Sequence, residues 1–152
     1  MVSVKAFFTA AAAAFLLLGV QVAQAADGHS TVGVAGYDLV SYHANPKPLR
    51  GNGHNVSVHD GVTYLFANAD NKATFDADPA KFLPAYGGYC AFGVSVGKKF
   101  FGDPEVWRIV DERLYLNLDA KIQDLWLQDV PGKIATADEL WGQIEDTPAS
   151  EL

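Results

Sequence analysis

The sequence predicts an α+β domain in which a small antiparallel sheet, built from two β-hairpins, is covered by short helices. Two stretches alternate apolar and polar residues on both sides of a tight turn, and a pattern of helical spacing follows each of them. Strands and helices do not alternate regularly along the chain, which argues against a parallel sheet. The letters show no internal repeat and no low-complexity segment.

The first hairpin is predicted in "NVSVHDGVTYLFAN", where Asp60-Gly61 favours the positive φ angles of a two-residue type I′ turn. Strands are predicted over 55–59 and 62–67, because β-branched and aromatic residues are frequent there. Asn68 is a predicted N-cap. The helices that follow are predicted over 69–77 and from Pro79 to Pro84.

The second hairpin is predicted in "VWRIVDERLYLNLD", after a glycine-rich segment that is expected to be mostly loop. A helix is then predicted from about Ala120 to Asp129, ended by Pro131-Gly132. Thr136 and Glu139 form a capping box, which predicts that the last helix begins at Thr136. The apolar stripe predicted for the first of these two helices comprises Leu118, Ile122, Leu125 and Trp126.

The N-terminal residues have the pattern of a secretory signal peptide. Lys5 precedes an apolar run from Ala6 to Val20, and Ala23-Gln24-Ala25 fits the cleavage pattern of small residues. We therefore expect a signal peptide over 1–25, a single domain over 26–145 and a flexible C-terminal tail over 146–152. The mature chain is expected to be exported to the periplasm or outside the cell, with no membrane span.

The charge balance argues against a nucleic-acid partner. The chain has 18 acidic and 11 basic residues and a formal net charge of −7. Nucleic-acid binding depends on neutralising phosphates with Lys and Arg, so an acidic chain is poorly suited to it. The sequence does not identify a protein partner.

The single cysteine, Cys90 in "YGGYC", is unusual for an exported chain, because thiols in an oxidising compartment tend to pair. Three roles remain open: a buried inert thiol, an intermolecular disulfide or a functional thiol. A zinc site made only of sulfur ligands is excluded, because it needs several cysteines.

Four segments together resemble the exported YHS domain-containing proteins of bacteria, over roughly Val34 to Trp141: "GYDLVSY", "TYLFANADNKATFDADPAKFLPAYGGYCAFGVS", "GDPEVWRIVDERLYLN" and "WLQDVPGKIATADELW". The resemblance implies a small α+β fold related to metal-associated YHS modules. Some members carry selenocysteine at the position of Cys90, which implies a redox or soft-ligand role there. Ala67 and Asn71 stand where the metal-associated modules have two cysteines, so their dithiol site is not implied.

The leading hypothesis is therefore a module that binds a soft metal ion, copper, through the Cys90 thiolate and the His43 imidazole. One alternative is a thiol redox protein in which Cys90 is oxidised and reduced. The other is a non-catalytic domain that binds a ligand or partner, with Cys90 as a structural core residue. The remaining polar candidates are Asp38, expected to cap a helical turn, Asp103, expected to start a turn, and His29, His54 and His59, for which a surface role is favoured.

Overall fold

A computed structural model of the protein describes residues 31–152. The predicted signal peptide and His29 lie outside the described residues. Within 31–152 the chain has the predicted α+β class, with two hairpins and six α-helices. In this part of the chain no helix is both long and apolar enough to cross a membrane.

The first half of the described chain contains α1 (Ser41–Ala44), β1 (Asn52–His59), β2 (Val62–Phe66), α2 (Ala69–Ala77) and α3 (Pro79–Phe82). The second half contains α4 (Ala91–Val94), β3 (Asp103–Val110), β4 (Arg113–Asn117), α5 (Ala120–Leu127) and α6 (Val130–Ile144). Two short turns of 3₁₀ type, Gly33–Gly36 and Ala85–Gly88, precede α1 and α4. A third, Ala149–Glu151, lies in the C-terminal segment that was predicted to be flexible.

Both predicted hairpins are present, but they form two separate two-stranded sheets instead of one. The strands β1 and β2 pair antiparallel, as do β3 and β4. Asp60 and Gly61 have φ angles of 48° and 76°, as the predicted type I′ turn requires. Asp111 and Glu112 adopt the same conformation without a glycine, with φ angles of 49° and 62°.

The backbone of the first half is repeated in the second. Three consecutive residues of each 3₁₀ turn have positive φ, namely Val34, Ala35 and Gly36 in one turn and Tyr86, Gly87 and Gly88 in the other. We call these segments the first and second left-handed turns. After each of them come a one-turn helix, a hairpin and two helices, in the same order.

Hydrogen bonds at equivalent positions confirm that the two halves have the same architecture. The N–H of Asp38 donates to Leu49 O at 2.9 Å, and the N–H of Cys90 donates to Phe100 O at 2.8 Å. Each hairpin also has its irregularity at the same place, after the pairs Asn52↔Phe66 and Asp103↔Asn117. The letters contain no internal repeat, but the backbone geometry is repeated while the side chains differ.

Each half has its own aromatic core. Phe66 and Phe75 pack in the first, with ring centroids 5.0 Å apart, and Trp126 packs on Tyr115 in the second at 5.6 Å. Trp126 is fully buried as predicted, but its predicted partners Leu118 and Leu125 are 40% and 39% exposed. The buried stripe of helix α5 is therefore narrower than the spacing of its apolar residues predicted.

The predicted start of the last helix was wrong. Helix α6 begins at Val130, because Asp129 Oδ1 accepts the N–H of Gly132 and Pro131 is compatible with the first helical turn. Thr136 lies inside the helix, where its hydroxyl donates to Gly132 O. The helix therefore starts at the upstream cap, Asp129, and not at the capping box formed by Thr136 and Glu139.

Ala35→Gly is expected to raise the free energy of unfolding by about 0.5–1 kcal/mol, because an exposed non-glycine residue at a φ of 50° is strained. Ala44→Gly, at an exposed position in helix α1, is the control and is expected to lower it by a similar amount. Urea denaturation of both variants measures the difference. Equal destabilisation by the two changes would show that the turn is not strained.

Candidate functional site

A cleft with a volume of about 560 Å³ lies between the two left-handed turns and is the candidate functional site. It brings together chain segments from both halves, and among residues 31–152 its lining contains no Asp, Glu, Lys, Arg or His. The principal lining residues are Val34, Ala35, Tyr64, Gly88, Tyr89 and Leu116. Such a lining suits an uncharged ligand with substantial apolar surface.

Two glycines give the cleft walls their shape. A Cβ atom on Gly33 would lie 2.3 Å from Tyr64 Cε1, and one on Gly102 would lie 2.5 Å from Leu116 Cβ. The N–H of Gly102 donates to Gly88 O at 3.2 Å and so joins two segments of the wall. These close approaches depend on the absence of side chains.

The cleft is bordered by strained backbone. Val34 has a φ of 48°, which is a genuine outlier for a β-branched residue, and Ala35 has a φ of 50°. Across the cleft, Tyr86 has a φ of 56° immediately before Gly87 and Gly88. Strain of this kind is maintained by the surrounding structure and clusters at ligand sites, so it supports a functional role for the cleft.

Two phenols provide polar groups in the otherwise apolar lining. The hydroxyls of Tyr64 and Tyr89 make no hydrogen bond with other residues of 31–152. Burial, and secondarily the charge of Asp60, raises the pKa of Tyr64. Its phenol is therefore protonated at neutral pH and is able to donate to, or accept from, a ligand oxygen.

Exposed apolar side chains surround the cleft entrance. Phe101 is 79% exposed and Val32 is 43% exposed, and both line the cleft. The Phe101 ring lies 5.4 Å from that of Tyr89, which also neighbours Trp141 at 6.2 Å. Exposed apolar surface beside a cleft is typical of a binding site.

Cys90, the main candidate from the sequence, is fully buried outside this lining. Its sulfur accepts the N–H of Gly93 at 3.3 Å, and so caps helix α4. The sulfur also lies 3.8 Å from Asn117 Oδ1. Each of these contacts is compatible with a structural cysteine.

His43, the second predicted ligand, has a different setting. Its ring packs edge-on against Phe82, with centroids 5.4 Å apart, and its buried Nε2 has no hydrogen-bond partner among the described residues. No contact joins it to Cys90 in the described chain. Residues 31–152 also contain no group of three or more His, Cys, Asp or Glu side chains suited to a metal ion. The copper site of Cys90 and His43 stays a prediction.

Asp38 has a larger role than the predicted cap. This fully buried carboxylate accepts N–H groups of Val40 and Ser41 at the start of α1, which confirms the capping function. Its other oxygen accepts Ala67 N at 2.9 Å and Asn71 Nδ2 at 2.7 Å. Ala67 and Asn71 therefore both bind Asp38. The sequence could not have revealed this network, because burial is not visible in the letters and the partners Ala67 and Asn71 are distant in the chain.

The other polar candidates have local contacts. Asp103 Oδ1 accepts the N–H of Glu105 at the start of β3. His59 lies 3.3 Å from Asp60, and the backbone N–H of His54 donates to Asn52 Oδ1. None of them lines the cleft.

His43 is expected to make the free energy of unfolding depend on pH. This free energy should fall as the pH falls below about 6.5, the ordinary pKa of histidine. Burial, followed by the charge of Lys81, lowers the pKa of His43, and Glu112 opposes this only partly. The unfolded chain therefore takes up the proton first, and protonation favours unfolding. Urea midpoints measured between about pH 7 and pH 5.5 should show a smaller slope for His43→Gln than for the wild type. An unchanged slope would contradict the role assigned to His43.

Comparison with known proteins yields no match: no family model fits the chain, and no significant similarity is found to curated proteins or to solved structures.

Proposed function

We propose that this chain is an exported domain of the YHS type that binds a small ligand in the cleft between its two left-handed turns. The expected ligand is flat, uncharged and largely apolar, and carries a hydroxyl or carbonyl oxygen. One observation carries the proposal: strained residues from both halves of a duplicated fold border a single apolar cleft.

The chemistry of the lining determines the ligand class. A charged ligand would lose its hydration without gaining a counter-ion from the described residues, because those that line the cleft carry no formal charge. An apolar ligand gains from contact with Val34, Leu116 and the aromatic rings. The hydroxyls of Tyr64 and Tyr89 would orient it through its oxygen.

Export is part of the proposal and depends on the leader pattern, whereas the YHS assignment depends on the sequence resemblance. In this proposal Cys90 stabilises the wall behind the cleft and takes no part in binding. Its neighbours in the chain, Gly88 and Tyr89, line the cleft, while its sulfur is held by Gly93 and Asn117.

Val32→Trp is expected to block the cleft, because a large ring at its entrance would occupy the space of the ligand. Isothermal titration with naphthol, a flat apolar molecule with one hydroxyl, should give one site per chain in the wild type. Affinity should fall at least tenfold in the variant, which corresponds to about 1.4 kcal/mol.

Val58→Trp is the matched control, because Val58 is 68% exposed and lies outside the cleft. It should bind naphthol as the wild type does. Equal loss in both variants, or no loss in either, would contradict the proposed site.

A titration with Cu(I) separates this function from the copper hypothesis. Stoichiometric binding by the wild type and its loss in Cys90→Ser would favour copper. Naphthol binding that is unaffected by Cys90→Ser would favour the cleft.

A further inference from the structure

A second cavity, with a volume of about 400 Å³, is formed by the loop that follows α1 and by strand β3. The loop contributes Pro46, Lys47 and Pro48 to the lining, and the strand contributes Glu105 and Trp107. None of these five residues lines the cleft between the left-handed turns. The cavity is therefore a separate candidate site, and it too combines residues from both halves of the fold.

Both walls of this second cavity have restricted freedom. On the loop side, Pro46 and Pro48 fix two of the three backbone φ angles. On the strand side, the ring of Trp107 packs edge-on against that of the buried Tyr42, with centroids 5.3 Å apart. A ligand would therefore meet walls that are already formed, which lowers the entropic cost of binding.

The carboxylate of Glu105 is held in place by one of its two oxygens. Its Oε1 accepts the hydroxyl of Tyr37 at 2.6 Å. Its Oε2 has no hydrogen bond or ion pair with other residues of 31–152. The carboxylate is thus oriented by the protein and still has an oxygen that can accept hydrogen bonds from a ligand.

The cavity also contains a positive charge that the carboxylate does not neutralise. Lys47 is exposed and makes no ion pair within the described part of the chain, although Glu105 lines the same cavity. The partly buried indole of Trp107 provides an apolar surface beside the two charges. Opposite charges that line one cavity without pairing suit a ligand that carries both charges itself.

The shared architecture of the two halves does not require this set of side chains. By the register of the two hairpins, Glu105 and Trp107 of β3 correspond to His54 and Val56 of β1. The first half therefore has the same backbone arrangement without the carboxylate and the indole. Their presence on β3 is a property of this cavity and not of the duplicated fold.

We propose that the second cavity binds a free α-amino acid with an apolar side chain. The ammonium group of the amino acid meets the Glu105 carboxylate, and its carboxylate meets the Lys47 ammonium group. Its side chain lies against the indole of Trp107. The dissociation constant is expected to be roughly millimolar, because exposed ion pairs contribute little free energy.

The test is a titration of the full chain with phenylalanine, followed by amide chemical shifts in two-dimensional NMR spectra. We expect saturable changes at the amides of Lys47, Glu105 and Trp107. N-acetylphenylalanine lacks the ammonium group and phenylalanine amide lacks the carboxylate, so each should bind roughly fivefold more weakly. Equal binding of the three compounds, or no saturable change with phenylalanine, would overturn the proposal.

Two variants remove the charges one at a time. Glu105→Gln keeps an oxygen for the Tyr37 hydroxyl, Lys47→Met keeps an unbranched side chain, and both positions are exposed, so both variants are expected to fold. Each should weaken phenylalanine binding roughly fivefold. Glu139→Gln and Lys121→Met, at exposed positions outside both cavities, are the matched controls and should bind as the wild type does. Unchanged affinity in either Glu105→Gln or Lys47→Met would overturn the assigned charge pairing.

This site and the cleft can fail independently. Val32→Trp, which is expected to block the cleft, should bind phenylalanine as the wild type does, because Val32 does not line the second cavity. Saturating phenylalanine should also leave the affinity for naphthol unchanged. Loss of phenylalanine binding in Val32→Trp, or competition between the two ligands, would contradict a separate amino-acid site.

Discussion

Replacing Asp38 with alanine is expected to lower the free energy of unfolding by about 4 kcal/mol, a large part of the stability of an ordinary domain. The change removes a fully buried carboxylate that accepts four N–H groups. Within residues 31–152, three of these donors have no other acceptor, whereas the N–H of Ser41 also donates to the backbone oxygen of Asp38. Two of the donors are at the start of α1 and two are at the junction of β2 and α2. The loss therefore uncouples the first left-handed turn from its hairpin. Urea denaturation measures the effect.

Asp119→Ala is the control for this prediction. Asp119 is an exposed N-cap whose side chain accepts one N–H, that of Ile122. Its loss should cost only about 1 kcal/mol. If Asp38→Ala cost no more than Asp119→Ala, Asp38 would be an ordinary cap and not the centre of a network.

Gly102→Ala is expected to lower the free energy of unfolding by about 3 kcal/mol and to weaken naphthol binding. Its Cβ would lie 2.5 Å from Leu116 Cβ and 2.8 Å from Gly88 O, so the cleft wall has to move. Gly51→Ala, at the equivalent position of the first half, should be at least as destabilising. Its Cβ would lie 2.3 Å from the backbone of Leu65, which cannot move aside easily.

Gly53→Ala provides the comparison, because no heavy atom lies within 4 Å of its added Cβ. It should leave stability unchanged or raise it by a few tenths of a kcal/mol. Thermal unfolding of the three variants measures these effects. Similar midpoints for all three would contradict the close packing at Gly51 and Gly102.

The hairpins were predictable from the sequence because their signals are local. Asp60-Gly61 favours one turn type, and the flanking residues alternate with the period of a strand. The helix after the second hairpin was predictable from Trp126, although the width of its buried stripe was not. Each success depended on residues close together in the chain.

The duplication was not predictable, because equivalent positions carry different chemistry. Asp38 corresponds to Cys90, Phe66 to Asn117, and Phe75 to Trp126. Backbone hydrogen bonds and φ angles preserve the repeat, and neither is visible in the letters. In the sequence, the only sign of the duplication was the presence of glycines near the two left-handed turns.

The cleft was missed for the same reason. Its shape depends on the close approach of Gly33 to Tyr64 and of Gly102 to Leu116, pairs that are distant in sequence. The sequence directed attention to Cys90, because a single cysteine is uncommon in a chain predicted to be exported. The structure shows that Cys90 is buried while its neighbours Gly88 and Tyr89 line the cleft.

The location of the bound ligand tests the proposed function most directly. Amide chemical shifts in two-dimensional NMR spectra, recorded with increasing naphthol, would show where it binds. We expect the largest changes at the amides of Gly33, Ala35, Gly88 and Gly102, which surround the cleft. Changes concentrated instead at the second cavity, of about 400 Å³ beside Lys47 and Trp107, or no saturable changes at all, would contradict the account.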